Sequence, residues 1–205
     1  MDTNKRLMAV IVFMSMVLLS AQCRKNTCGQ TIYNFKMAIK AYPDLDSINI
    51  GDTIFLEINQ SSTFVDIGTN SQVSFTNASN LGTAIGIGEL ISPNVVTQFD
   101  NNDFRYNLIN GITIFRADSN NYREYLFAES AQAYHFKLGI IPKKIGTFKL
   151  FVSNAANVYR SNDQCTKANF AINFENTNQH LYLNEVSFPG IIPPPGGGIY
   201  LFKVK

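Results

Sequence analysis

The feature that most narrows the fold of this chain is a two-residue rhythm that begins after Cys28 and runs to the C-terminus. Tyr33, Phe35, Met37 and Ile39 alternate with Asn34, Lys36, Ala38 and Lys40. Successive side chains of a strand point to opposite faces, so such a run buries one face and wets the other. Ile54, Leu56 and Ile58 repeat the pattern, as do Val73 with Phe75, Phe104 with Tyr106 and Leu108, and Ile112 with Ile114. Tyr134, Phe136, Leu138 and Ile140 continue it, then Phe148, Leu150 and Val152, then Phe170, Ile172 and Phe174, and last Tyr200, Phe202 and Val204. Turn formers separate these runs, at Gly51-Asp52, residues 100–103, Asn110-Gly111, residues 118–121 and residues 142–146. Short strands between regular turns predict an all-β chain folded as an antiparallel β-sandwich, immunoglobulin-like or elaborated, with at most one or two short helices. Residues 122–134 are ambiguous: Tyr122, Leu126, Ser130 and Ala133 would line one side of a helix, yet the stretch also reads as a strand. A second short helix or loop is expected around residues 179–185.

The first 22 residues follow a different logic. Lys5 and Arg6 precede an apolar run over residues 7–19, and Ser20, Ala21, Gln22 and Cys23 close it. Positive, apolar and small residues in that order are an export signal, and the apolar part is too short to cross a bilayer comfortably. The chain therefore divides into a signal peptide (1–22), a tether (23–30) and a single β-sandwich domain (31–205). Residues 189–198, Pro-Gly-Ile-Ile-Pro-Pro-Pro-Gly-Gly-Gly, form the one low-complexity stretch and read as a stiff, then flexible, connector into the last strand.

Composition excludes some partners. There are 17 Lys+Arg against 15 Asp+Glu, a net charge of +2, so no basic excess is present to engage nucleic-acid phosphates. With 16 Phe and 9 Tyr the chain has ample material for a core, which argues against intrinsic disorder.

The segment around Cys23 resembles a bacterial lipoprotein signal, with Gln22 where that family carries Gly or Ala. The resemblance implies cleavage before Cys23, lipidation of its thiol and a membrane partner reached through the N-terminal lipid. Ordinary cleavage near Ala21 or Gln22, or after Cys23, is the alternative and would give a soluble secreted protein. Arg24 and Lys25 follow where surface-exported lipoproteins of Bacteroidota carry acidic residues, which favours an outer-membrane lipoprotein facing the periplasm over one facing outward. With Cys23 lipidated, Cys28 and Cys165 are an even pair in an oxidising compartment, and a disulfide between them is expected. The alternative is two unpaired thiols. Ser47-Ile-Asn-Ile-Gly-Asp-Thr-Ile-Phe-Leu and Gly198-Ile-Tyr-Leu-Phe-Lys-Val are similar to stretches in a group of uncharacterised secreted proteins of Bacteroidota with immunoglobulin-like sandwiches. That resemblance implies location and fold, and no activity.

Candidate chemistry is sparse. His135 and His180 are far apart in sequence and lack zinc-site spacing, and nothing resembles Gly-x-Ser-x-Gly. Asp100, Asn102 and Asp103 are the best oxygen ligands for a metal such as calcium, although a polar turn explains them as well. No cofactor is implied. Asp46-Ser47-Ile48 and Asp52-Thr53-Ile54 resemble the O-glycosylation sequon of Bacteroidota. Phe55, Phe151 and Tyr200 or Leu201 fall on the off-phase of their strands, where exposure would make them a platform for a glycan or protein. The expected role is a non-catalytic cell-envelope lipoprotein, a binding or structural module with an envelope protein or a glycan as partner. A hydrolase would need Glu124, Glu129 and a histidine to converge in a cleft. A glycan-binding adhesin accessory would need an exposed aromatic face.

Overall fold

A computed structural model describes residues 29–91, 101–115, 122–175, 179–187, 189–190 and 197–205. The chain divides into two units, Met1–Gln30 and Thr31–Lys205, and the fold is that of the second. It is all-β. The larger sheet runs β11 (Ala128–Ser130), β12 (Ala133–Pro142), β3 (Ile54–Ser61), β1 (Thr31–Tyr42), β15 (Asp163–Phe174), β14 (Ala155–Arg160), β6 (Ala78–Ser79), with β8 (Phe104–Asn110) also on β12. The second sheet runs β2 (Ser47–Ile48), β16 (Ile199–Val204), β13 (Gly146–Val152), β7 (Gly82–Glu89), β10 (Arg123–Leu126), β9 (Ile112–Ile114). β4 (Thr63–Val65) and β5 (Gln72–Ser74) form a separate two-stranded hairpin that packs beside β1. The helical content described is a 3-10 turn at Asn101–Asp103 and α1 (Tyr182–Ser187).

The alternation translates directly into burial. Phe35, Met37, Ile39 and Ala41 of β1 are buried while Lys36, Ala38 and Lys40 are exposed. Ile54, Leu56 and Ile58 face inward from β3, and Tyr134, Phe136, Leu138 and Ile140 from β12. One apolar cluster contains residues of both large sheets. Its densest part is aromatic: Phe35 lies 5.0 Å from Phe64 and 5.3 Å from Phe170, and Phe75 lies 5.7 Å from both Phe35 and Phe170. A second group joins Phe104, Phe148 and Phe202. Each fully buried Phe contributes about 1.5–3 kcal/mol relative to its exposed state, and edge-to-face rings add specificity of packing.

Pairing departs from the antiparallel expectation in two places. β1 runs parallel to β15, in register from Thr31↔Thr166 to Ile39↔Phe174, and β16 runs parallel to β2. Alternation reports which face of a strand is buried and carries no information on the direction of its neighbour. Strands far apart in sequence are not bound by hairpin geometry, so either direction is open to them.

The ambiguous stretch after Tyr122 is β10, β11 and the start of β12. Its helix-favouring Ala131 instead occupies a two-residue hairpin loop with Gln132, at φ of 49° and 59°. Positive φ at both central positions is the type I′ turn, which Asn-Gly adopts readily and Ala-Gln does not. The turn is held from outside, because the Gln132 carbonyl accepts both the Ser62 N–H (2.8 Å) and the Ser62 hydroxyl (2.9 Å). Gly111 at φ 119° links β8, on the larger sheet, to β9 on the second, and a Cβ there would lie 2.9 Å from the Leu126 carbonyl oxygen. The expected Asn110-Gly111 turn is thus one of the points where the chain changes sheets.

The strained loop yields a prediction. The double substitution Ala131→Asn with Gln132→Gly should raise stability by about 1 kcal/mol, read as a higher urea midpoint with an unchanged slope. No gain would mean the Ser62 contacts, rather than local backbone preference, set the energy of the turn.

Candidate functional site

Two places in the domain combine exposed chemistry with a rigid support. The first is a cleft of about 160 Å³ lined by Ile87, Glu89, Ile91, Asp103, Phe104, Lys144 and Phe148. The end of β7 supplies Glu89, the 3-10 turn supplies Asp103, and the β12–β13 connection supplies Lys144. The Lys144 ammonium lies 2.7 Å from the Glu89 carboxylate and 3.6 Å from that of Asp103. Hydrogen bonding to Glu89, then its charge, raises the Lys144 pKa. The result is an apolar floor under a rim of two carboxylates and one ammonium.

The second place is the outer surface where β1 begins. Asp66, 4% exposed, closes the loop after β4 by accepting the Asn34 N–H (2.8 Å), the Thr69 N–H (2.9 Å) and the Thr69 hydroxyl (2.8 Å). The Asn34 bond foremost, then the Thr69 hydroxyl, holds its carboxyl below the usual carboxylate range against the opposing effect of burial. The Ile67 N–H returns to the Asn34 carbonyl at 2.8 Å, so the loop is stitched to β1 by bonds in both directions.

The candidate residues scatter. Asp100 lies outside the described residues. The Asn102 backbone carbonyl accepts Lys143 Nζ at 3.0 Å, and Asp103 faces Lys144, so the nearest cation to this turn is a lysine. Among the described residues, no group of three or more His, Cys, Asp or Glu could hold a metal ion. Glu124 is on β10 of the second sheet, beside a shallow cleft of about 190 Å³ that also touches Thr83 and Ser153. Glu129 is on β11 of the larger sheet, where its carboxylate accepts the Asn77 N–H at 2.8 Å. His135 sits across from Ala128 on that hairpin, with Nε2 3.4 Å from the Ser130 carbonyl.

His180 is in another environment altogether. It is 4% exposed, with Nδ1 3.0 Å from the Leu201 carbonyl and Nε2 3.4 Å from Asp44 Oδ1, and its ring centre is 5.0 Å from that of Tyr200. Glu129 and His135 thus share the β11–β12 hairpin at adjacent register positions, while Glu124 and His180 lie in two other places.

The aromatic platform is only partly present. Tyr200 and Leu201 are buried (0% and 1%), because β16 is covered on its second side by residues 179–183 as well as by the core. Burial foremost, then the hydrogen bond to Asp44, raises the Tyr200 pKa. Phe55 is half-buried, stacked 5.3 Å from Tyr42 with the Lys137 ammonium above both rings. Phe151 is the exposed member, on the outer side of β13. Ser47 and Thr53 are each half-buried at the start of their strands. Cys165 lies on β15 directly before Thr166, the partner of Thr31; Cys23 and Cys28 lie outside the described residues.

Sequence reasoning missed Asp66, the Glu89–Lys144–Asp103 rim and the His180–Asp44 contact. Asp66-Ile-Gly-Thr was readable as an Asx-type turn. The other two join residues 55 and 136 positions apart and leave no local signal.

No family model matches the chain, and no curated protein matches it. Among solved structures, the human F-spondin reeler domain aligns over 73% of this chain and 90% of that one, at 10% identity and a TM-score of 0.36. That likeness is too slight to carry an argument.

The Asp66 carboxyl makes a test by pH. A lowered pKa contributes stability that is complete above the unfolded value and is lost as pH falls through the folded one. The melting temperature of the wild type should exceed that of Asp66→Asn at neutral pH, and the gap should close as the pH drops below about 4. A gap that persists at low pH would assign the role of Asp66 to shape rather than charge.

Proposed function

We propose that this protein is a non-catalytic cell-envelope lipoprotein, anchored through Cys23 and presenting the Thr31–Lys205 domain as a binding or structural module. The observation that carries the reading is the connection between anchor and core. β1 begins eight residues after Cys23 and is the middle strand of the larger sheet, so a lipid on Cys23 would hold the domain by its core and not by a peripheral loop. The positive, apolar and small order of residues 5–23 and the resemblance to secreted proteins of Bacteroidota support export. We place the anchor at the outer membrane, with the domain facing the periplasm. An envelope protein or a glycan is the partner class, and the cleft beside Lys144 is the concave site offered to it.

Two finer features belong to the same proposal. The two large sheets form an elaborated immunoglobulin-like sandwich, a reading supported by their shared apolar core and predominantly antiparallel pairing. A Cys28–Cys165 disulfide staples the tether to β15, supported by the placement of Cys165 beside the strand to which Cys28 leads. Closing so long a loop contributes about 4–5 kcal/mol in the chain-entropy account.

Intact mass spectrometry of the protein purified from its native membrane tests the proposal, with and without reductant. The expected species begins at Cys23, carries a diacylglycerol and gains two hydrogens on reduction. An unlipidated species beginning elsewhere would make the protein soluble and secreted.

A further inference from the structure

We infer that the outer face around the start of β1, carrying Ile32, Val65 and Ile67 with Lys36 and Lys167, lies against the anionic headgroup surface of the membrane that holds the anchor. This deepens the lipoprotein reading and rests on it. Ile32, Val65 and Ile67 are 50%, 53% and 51% exposed, a large exposure for branched apolar side chains on ordered backbone. Ile32 stands on the outer face of the larger sheet, and Val65 and Ile67 stand on the neighbouring segment whose backbone bonds to β1 at Asn34. Ile32, Asn34 and Lys36 alternate outward along β1, opposite the buried Phe35 and Met37. Val65 and Ile67 are likewise the outward members of a run whose inward members, Phe64 and Asp66, are buried. The Ile67 N–H donates to the Asn34 carbonyl, which sets Ile67 beside the outward row of β1.

Lys167 is the register partner of Ile32, and in a parallel pair registered residues face the same side. The Asn169 amide donating to the Asn34 side chain at 3.0 Å confirms that side for the next pair along. Of the acidic groups near this face, Asp66 is turned inward, while Asp163 is half-buried at the start of β15 and held in a local turn. Asp66 is buried under three hydrogen bonds, and Asp163 accepts the Thr166 hydroxyl and the Cys165 N–H. Beside the neutral pair Asn34 and Asn169, the outward row carries aliphatic and cationic side chains, the combination that binds anionic bilayers: aliphatic side chains enter the headgroup region while lysines meet lipid phosphates.

The length of chain before the domain selects this occupant. Seven residues separate Cys23 from Thr31, and a fully extended segment of that length reaches roughly 28 Å. An acyl anchor would therefore keep the start of β1 within one domain diameter, roughly 40 Å, of the lipid surface. The patch surrounds that start. Arg24 and Lys25 lie in the same short segment and add to the attraction for anionic lipid.

The test is hydroxyl-radical footprinting of the acylated protein in phosphatidylethanolamine vesicles containing phosphatidylglycerol, read residue by residue. Ile112 and Phe115, exposed at and just beyond the edge strand of the second sheet, serve as the internal reference. Ile32, Val65 and Ile67 should be protected relative to that reference. Lys36→Gln with Lys167→Gln should lower the docked-to-undocked ratio by about five-fold per lysine while the protein still sediments with the vesicles. A sedimenting, acylated protein whose Ile32, Val65 and Ile67 react like Ile112 and Phe115 overturns this inference and leaves the anchor standing. An unacylated protein that stays in the supernatant overturns both. Equal protection on purely phosphatidylcholine vesicles overturns the role given to the lysines.

Discussion

The parallel contact between β1 and β15 is the interaction on which the rest of the domain depends. Nine registered pairs join the first strand of the domain to one that begins more than 130 positions later. Phe35 and Phe170 are among those pairs, and their rings lie 5.3 Å apart within the aromatic cluster that also holds Phe64 and Phe75. β3 continues the sheet from one edge of β1, through Lys40↔Glu57 to Tyr42↔Phe55, and β14 continues it from the far edge of β15. Without that seam the larger sheet would be two fragments with open edges, each a liability for aggregation. Such a contact closes a long loop before any of its apolar burial is gained, which makes folding of this domain dependent on late, non-local events.

The two sheets meet through their aromatic residues and through repeated chain crossings, one of them at Gly111. β8 is bonded to β12 in the larger sheet, and after Gly111 the chain enters β9 in the second. This crossing gives the assembly its half-barrel character along one side. On the other side, the His180 segment and α1 cover β16, and Tyr182 and Tyr200 donate to Asp46 and Asp44 in the loop after β1. The loops are thus tied by polar contacts where the sheets are tied by apolar ones.

Much of the fold was legible because burial follows the pleat. Phe35 through Ala41, Tyr134 through Ile140 and Phe148 through Val152 needed only the period-two rule to be placed on strands and on the correct face. What was not legible required knowledge of a distant partner. Nothing in Phe170-Ala-Ile-Asn-Phe states that its neighbour is the N-terminal strand or that the two run parallel. The exposure considered for Tyr200 or Leu201 failed for the same reason: residues 179–183, read as the start of a short helix or loop, supply the cover. The Ala131-Gln132 turn lacked the Asn-Gly signal because Ser62, seventy positions away from Gln132, holds it in place. Of the candidate site residues, Asp103 does face a cation, which Lys144 provides from across the connection between β12 and β13.

Under the proposed N-terminal anchoring, this architecture has a consequence. Force or lipid attachment applied at the tether passes into the middle strand of the larger sheet, and from there into the shared core. β1 is accordingly an integral part of the cooperative unit. Native-state hydrogen exchange measures this most directly, because amides opening only by global unfolding exchange last and together. The account predicts that the amides of Phe35, Met37 and Ile39 exchange as slowly as those of Phe170 and Ile172, and with the same denaturant dependence. Fast, denaturant-independent exchange along β1, with β13 and β16 still protected, would show a detachable strand and contradict it.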